Sequence, residues 1–421
     1  MTAATPARLR PGLVLVGVLA LAANLRAALA GYPPLLETAR EDLGVTAGAA
    51  GLVQAGAVLM MSLGSFVAAP VAARTGRERL LGIAVSSIAA GSLLRSVPAL
   101  PALVGGSVLV GLGIGVAGVL ITGVVKEHLP DRAGAVSGGY VVSMMVGATV
   151  SSAVAVPLAV GLGGWSLSLA VWAVPAALAL VVWIPVARHM GRAPAADAAP
   201  APTAAGPAPW RDSFARRMAC YLVGSSGVFY GWLTWLSPVY ESLGWSPAVA
   251  GLLLSVWSIA QIPAALLMPA AAERRRRFRL WASVATASGA VGTLGVLLLP
   301  APGTFAPWLW AVLIGVGVGS GFPLGLAVIA WRTPDAARSA AVGGFALGIG
   351  YLAAGLTPLA MGLLVDASGY PAATGLLLVF AAIQAAAVWR VGDRPRPGDE
   401  PTAHAETTGT GTDVRADASG R

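Results

Sequence analysis

The sequence predicts an all-α membrane protein of twelve transmembrane helices, arranged as two parallel six-helix repeats. Three observations carry that prediction. Of 421 residues, 57% are hydrophobic and 11% charged, with a mean hydropathy of +0.77, whereas soluble domains run near a quarter charged. Apolar runs of roughly 18 or more residues recur along the chain, each long enough to cross about 30 Å of hydrocarbon. Motifs of the first half return in the second at a near-constant spacing.

The spans follow from the apolar runs and the charges that bound them. The first, 13–31, follows Arg8 and Arg10. The second, 49–70, lies between the acidic stretch Glu37, Glu41 and Asp42 and the basic stretch Arg74, Arg77 and Arg79. The third, 80–97, ends around Arg95, three residues before Pro98. The fourth and fifth, 102–124 and 137–160, are joined by a loop with Lys126 and Arg132. The sixth, 166–187, stops at Arg188.

The second half repeats the pattern. Its spans are 217–237, closed by Glu241; 248–270, closed by Arg274 to Arg277; 280–299; 307–330, closed by Arg332; 340–364, opened by Arg338 and closed by Asp366; and 372–389, closed by Arg390. The resulting organisation is an N-terminal segment 1–12, a bundle 13–187, a linker 188–216, a second bundle 217–389 and a tail 390–421. The linker is rich in Ala and Pro over 193–209 and reads as extended or flexible. The tail is polar, rich in Gly, Thr and Asp, and reads as disordered.

Lys and Arg set the expected orientation. With the N-terminus in the cytoplasm, all 27 but Arg26, Arg40 and Arg95 fall in inside segments. This asymmetry supports an even span count and places both termini in the cytoplasm of a multi-pass inner-membrane protein. The net charge of +9 therefore belongs to topology and does not point to nucleic acid. Arg8, Arg10 and Ala28-Leu29-Ala30 resemble a signal peptide with its cleavage site. Asn24 and Arg26 interrupt that core, however, and the repeat needs this helix, so it is read as a retained span.

The repeat is specific. Leu43-Gly44-Val45-Thr46 followed by Ala50-Gly51-Leu52 returns as Leu243-Gly244-Trp245-Ser246 followed by Ala250-Gly251-Leu252. Each copy follows a Pro and a Glu: Pro34 with Glu37, and Pro238 with Glu241. Gly111-x-Gly113-x-Gly115 returns as Gly315-x-Gly317-x-Gly319, and Pro130-Asp131 as Pro334-Asp335. Two six-span copies in the same orientation around a midplane site are the plan of a rocking transporter.

On these residues the chain resembles the major facilitator superfamily. The loop from Ala69 to Arg79, with Arg74, Gly76 and Arg77, is similar to the superfamily's signature, but Ala73 stands where an acidic residue is common. Asn24-Leu25-Arg26, Pro33-Pro34-Leu35-Leu36, Leu43-Gly44, Arg95, Lys126 with Pro130-Asp131-Arg132, and Trp232 to Pro238 resemble the cyanate/nitroimidazole transporter family. That resemblance implies transport of a small solute.

Arg26 is the only charged side chain well inside an apolar run. Two readings stand for it: a fixed positive charge for an anionic solute, or a guanidinium that snorkels outward or pairs structurally. Asn24 lies about 200° around the helix from it. Further candidates for a solute site are Gln54 and Gln261, polar inside spans, and the aromatics Tyr140, Tyr230, Trp235 and Tyr351, each weighed against interhelical bonding or packing. Gate candidates are Arg74, Gly76, Arg77, Lys126, Asp131, Arg132, Asp335 and Arg338. Arg95 is read as a snorkelling side chain at an outer helix end.

No Asp, Glu or His falls well inside a span, so a buried proton relay is not expected. His128, His189 and His404 have no metal-site spacing, there is no ATPase signature, and Cys220 stands alone. No cofactor or metal is expected. A lipid-modifying enzyme would need a polar catalytic cluster at one interface, and none is present in the sequence. The expected activity is carriage of a small polar, anionic solute by a monomer in the lipid bilayer, with efflux of a small organic compound, Arg26 being structural, as the alternative.

Overall fold

A computed structural model describes residues 11–128, 133–190, 208–275, 277–334 and 336–391. The first six spans form α1 (Pro11–Ala30), α3 (Ala47–Thr75), α4 (Arg77–Leu94), α5 (Leu100–His128), α6 (Ala133–Leu162) and α8 (Ala173–Met190). The second six form α9 (Ser213–Ser242), α10 (Pro247–Arg275), α11 (Phe278–Leu298), α12 (Ala306–Arg332), α13 (Ala336–Ser368) and α14 (Tyr370–Val391). Short helices α2 (Leu36–Leu43) and α7 (Trp165–Ala170) lie between. Residues 1–10, 191–207 and 392–421 lie outside the described part, and with them most of the linker and tail.

The helices outrun the apolar spans because caps, not hydrocarbon, set their ends. Thr46 Oγ1 accepts from Ala49 N at 3.2 Å to start α3, and Asp212 accepts from Phe214 N at 2.8 Å to start α9. Two features depart from the sequence reading. The segment after the first span is not an open loop: Pro33–Leu35 forms a buried 3-10 turn leading into α2. The sixth span is broken near Val171. Pro175 has no N–H for the Val171 carbonyl, which takes Val174 N at 2.9 Å instead.

The duplication is built into the hydrogen bonds. Val45 N donates to Arg40 O at 3.1 Å, and Trp245 N to Tyr240 O at 3.1 Å. Ala50 N donates to Thr46 O and Ala250 N to Ser246 O, both at 3.1 Å. Gly44 and Gly244 both sit at positive φ, 61° and 91°, which admits glycine at little cost. The glycine triplets also match. Gly111 and Gly115 press on α3 and Gly113 on α4, while Gly315 and Gly319 press on α10 and Gly317 on α11.

Helix neighbours follow the same rule. In the first half α5 packs on α3 and α4, α1 on α6, and α4 on α8. In the second, α12 packs on α10 and α11, α9 on α13, and α11 on α14. Between halves, α13 lies on α3 and α6 on α10, the two contacts that a twofold relation exchanges. The twelve-helix, two-repeat prediction matches this architecture. Successive spanning helices run up and down, so one end of the bundle carries the described termini and the other is the far face.

Candidate functional site

Where the halves meet, α1, α6, α9 and α10 enclose a narrow void of about 10 Å3, room for no more than a single water in this closed arrangement. Arg26 enters from α1, Met145 from α6, Phe229 from α9, and Trp257, Ser258 and Gln261 from α10. The half-buried Arg26 guanidinium lies 5.0 Å from the Phe229 ring centre. Among the described residues no carboxylate or other acceptor pairs with it. A charge so placed is normally neutralised, which leaves its planar fork of donors free for a ligand.

The α1–α6 contact aims this side chain. Gly147 on α6 sits against the Ala23 carbonyl, so close that an added Cβ would lie 2.0 Å from its oxygen. One turn on, Ser151 Oγ donates to Ala27 O at 2.7 Å. These contacts hold the turn of α1 that bears Arg26.

Three predicted tyrosines gather near the charge. The hydroxyls of Tyr140, Tyr230 and Tyr351 all lie within electrostatic reach of Arg26. Tyr230 packs edge-on against Phe229, 4.9 Å between ring centres. Arg26 and Tyr230 are repeat partners, each eight residues before its Pro, Pro34 or Pro238. Gln261 reaches the void and donates to Trp257 O at 3.2 Å. Trp257 is 1% exposed, and its indole N–H has no partner among the described residues.

The other solute-site candidates are elsewhere. Asn24 turns away from Arg26 and donates to the Trp172 carbonyl at 3.4 Å, at the break between α7 and α8. Trp235 is fully buried and donates to Pro358 O at 3.0 Å, tying α9 to α13. Gln54 is buried with its amide nitrogen unpartnered, and it does not line the void. Phe229 carried no mark in the sequence beyond its place beside Tyr230. Trp257 and Gln261, four residues apart, share a helix face.

The family described as Major Facilitator Superfamily matches residues 15–243 and, a second time, 236–417. The chain belongs to the major facilitator superfamily. It is 34% identical over 370 residues to the 2-nitroimidazole transporter of Escherichia coli (strain K12), covering 88% of this chain and 92% of that one. It is 29% identical over 359 residues to the cyanate transport protein CynX of the same organism, covering 85% and 90%. The inward open conformation of the xylose transporter XylE from E. coli shares the fold, with a TM-score of 0.71 at 13% identity over 90% of this chain and 95% of that one. The resemblance to the cyanate/nitroimidazole family is therefore borne out. This is a multi-pass membrane transporter for a small solute, with named transporters as relatives.

In this transporter the far face is closed by bonds between halves. Asp366 of α13 accepts from Ala47 N at 2.8 Å and Gly48 N at 2.7 Å, capping α3 across the interface. Tyr370 of α14 donates to Glu37 of α2 at 2.6 Å, and Arg40 Nε donates to the same carboxylate at 2.7 Å. Deeper, Ser255 of α10 donates to Thr149 O of α6 at 3.1 Å. Arg95 is not a snorkelling side chain. It is 1% exposed, donates to Ala28 O at 2.8 Å and fixes the end of α1.

Glu241, the repeat partner of Glu37, lies at the same mouth, past the apolar span that ends near 237. Burial, together with the charges of Glu37 and Glu41, pushes its carboxyl up to about 8. A folded-state value raised above the ordinary 4.5 gives stability that is complete below about 4.5 and lost as pH rises through about 8. The melting temperature is expected to fall from pH 5 to 9, and Glu241→Gln to flatten that fall. An unchanged slope in the variant would assign the pH dependence to other groups.

Of the gate candidates, Arg338 is buried and forms an ion pair with Asp212, joining the starts of α13 and α9. Gly76, at φ 85°, is the single residue linking α3 to α4. Arg74 is exposed in the last turn of α3, and Arg77 is half-buried and engaged. Asp131, Arg132 and Asp335 lie outside the described residues, as does the side chain of Lys126.

Proposed function

We propose that the protein carries a small, polar, negatively charged or acceptor-rich planar solute across the cytoplasmic membrane by alternating access. The observation that carries this reading is the unpaired Arg26 guanidinium at the edge of a narrow aromatic void. Beside it, the free indole N–H of Trp257 offers a further donor. Cyanate is an anion, and 2-nitroimidazole bears an acceptor nitro group on a flat ring. Both chemistries fit a pocket with aromatic walls and donors but no acidic side chain among its described lining. The closed far face leaves the void behind one shut gate, with the two bundles rocking about it. The positive-inside charge pattern supports a cytoplasmic position for the termini.

Thermal stabilisation over a panel of small anions and nitrogen heterocycles tests this, because a ligand that binds the folded state alone raises its melting temperature. Small anions are expected to stabilise the native protein and not Arg26→Ala. The second reading, efflux of a small organic compound with Arg26 structural, draws on the contact between Arg26 and Phe229. It predicts stabilisation by neutral heterocycles in both proteins.

A further inference from the structure

At the end of the bundle that carries the described termini, α9 begins and α14 finishes side by side. Ser213, Arg216, Arg217 and Cys220 stand at i, i+3, i+4 and i+7 on α9, which puts them on one helix face. Ile383, Ala386, Ala387 and Arg390 stand at the same spacing on α14. The helices are antiparallel and their ends are level, since Arg217 Nη1 donates to the Arg390 carbonyl at 2.9 Å. About two turns deeper they touch, because a Cβ on Gly224 would lie 2.6 Å from Phe380 O. Between that contact and the helix ends, their outer faces line a groove of about 510 Å3.

The groove is graded along its length. Three exposed arginines, Arg216, Arg217 and Arg390, crowd its outer end, and Cys220, Ile383 and Ala386 line its deeper part. Among the described residues, none of the three arginines has an acidic partner. Arg216 and Arg217 spend one nitrogen each on backbone carbonyls. Trp210 and Trp389, both largely exposed, sit in sequence beside the two ends of this arginine set, as aromatic side chains do at the headgroup level. Basic pockets between transmembrane helices on the cytoplasmic side bind anionic lipid headgroups.

We infer that this groove is a binding site for an anionic phospholipid of the inner leaflet. Its phosphate would be held by Arg216, Arg217 and Arg390, and the start of an acyl chain would lie along Cys220, Ile383 and Ala386. The site is separate from the central void and does not depend on what the transporter carries.

Native mass spectrometry of the detergent-purified protein, offered phosphatidylglycerol or phosphatidylcholine, tests the assignment. Phosphatidylglycerol is expected to be retained, about tenfold more weakly in the double variant Arg217→Gln, Arg390→Gln. The matched variant Arg274→Gln, Arg275→Gln removes equal charge from another basic stretch and is expected to bind as the native protein does. Equal loss in both variants would mean diffuse charge attraction. Equal retention of phosphatidylcholine would mean an apolar groove without headgroup recognition. Displacement by glycerol phosphate alone would mean a free-anion site. Each of these outcomes overturns the proposal.

The unmodified chain offers a second measurement, because Cys220 is its one cysteine and lines the groove. In phosphatidylglycerol nanodiscs its alkylation by a maleimide is expected to be several-fold slower than in phosphatidylcholine ones. Equal rates would overturn the site even if the variants failed to fold.

Discussion

Arg26→Ala is expected to weaken binding of small anions about 30- to 150-fold and to leave the melting temperature unchanged or raised. The affinity loss corresponds to about 2–3 kcal/mol, the size of charge-assisted hydrogen bonds in a partly dry site. The stability effect has the opposite sign from most buried substitutions, because the guanidinium has no anionic partner among the described residues. Removing it removes a desolvation cost. A structural Arg26 would behave otherwise: losing its contact with Phe229 would cost about 0.5–2 kcal/mol of stability, and anion affinity would survive. Arg26→Lys separates charge from shape, since lysine keeps the charge but not the planar fork. It is expected to bind more weakly than the native protein and more tightly than the alanine variant. Isothermal titration with the best small anion, beside a thermal melt of each variant, reads both quantities.

Gly147→Ala is the second large effect, and it acts through backbone position. The new methyl would sit 2.0 Å from the Ala23 carbonyl oxygen, so α1 and α6 must separate by about 1 Å to restore contact distance. Overpacking of this kind costs about 1–3 kcal/mol. The turn that moves bears Arg26, and a 1 Å misplacement can lower turnover about 100-fold. Transport in proteoliposomes is expected to fall far more than the amount of folded protein. Gly161, also on α6, has nothing within 4 Å of its added Cβ, so Gly161→Ala is the matched control. Full transport by the Gly147 variant would mean that the α1–α6 contact does not set the position of Arg26.

The parts of the structure legible in the sequence are those that the bilayer dictates. Apolar runs and the charges bounding them place all twelve spanning helices, because lipid-exposed backbone must be hydrogen-bonded internally. The duplicated Leu-Gly-x-Thr/Ser turns appear again as matching hydrogen bonds around Gly44 and Gly244. The buried turn at Pro33–Leu35 and helix α2 were hidden because Glu37, Arg40, Glu41 and Asp42 look like a solvated loop. Of these four only Glu37 is buried, and its partner Tyr370 lies more than 300 residues away.

Of the candidate residues, Arg26 and Gln261 line the void and stand out in the sequence as polar marks in apolar surroundings, whereas Tyr140, Tyr230 and Tyr351 lie within electrostatic reach of Arg26 without lining it. Helical phase separates Asn24 from Arg26 and already points it elsewhere. Trp235 is five residues from Tyr230, well off that face of α9, and its depth in the α9–α13 contact is a tertiary fact. Arg95 at a helix end looks like any interfacial arginine until Gly106 is seen to make room for its stem, with an added Cβ there falling 2.8 Å from Arg95 Cγ.

If the solute is an anion carried by alternating access, as proposed, the lone guanidinium also makes loaded and unloaded carriers unequal. With an anion aboard, the central charge is neutralised and the halves can close over it. Without one, the same closure shuts a bare cation into a dry space, at a cost of several kcal/mol. On that proposal the return of the empty carrier is expected to be the slow leg of the cycle. Vesicles preloaded with solute should swap it for labelled solute faster than empty vesicles fill, and equal initial rates would mean that something else neutralises Arg26 on the way back.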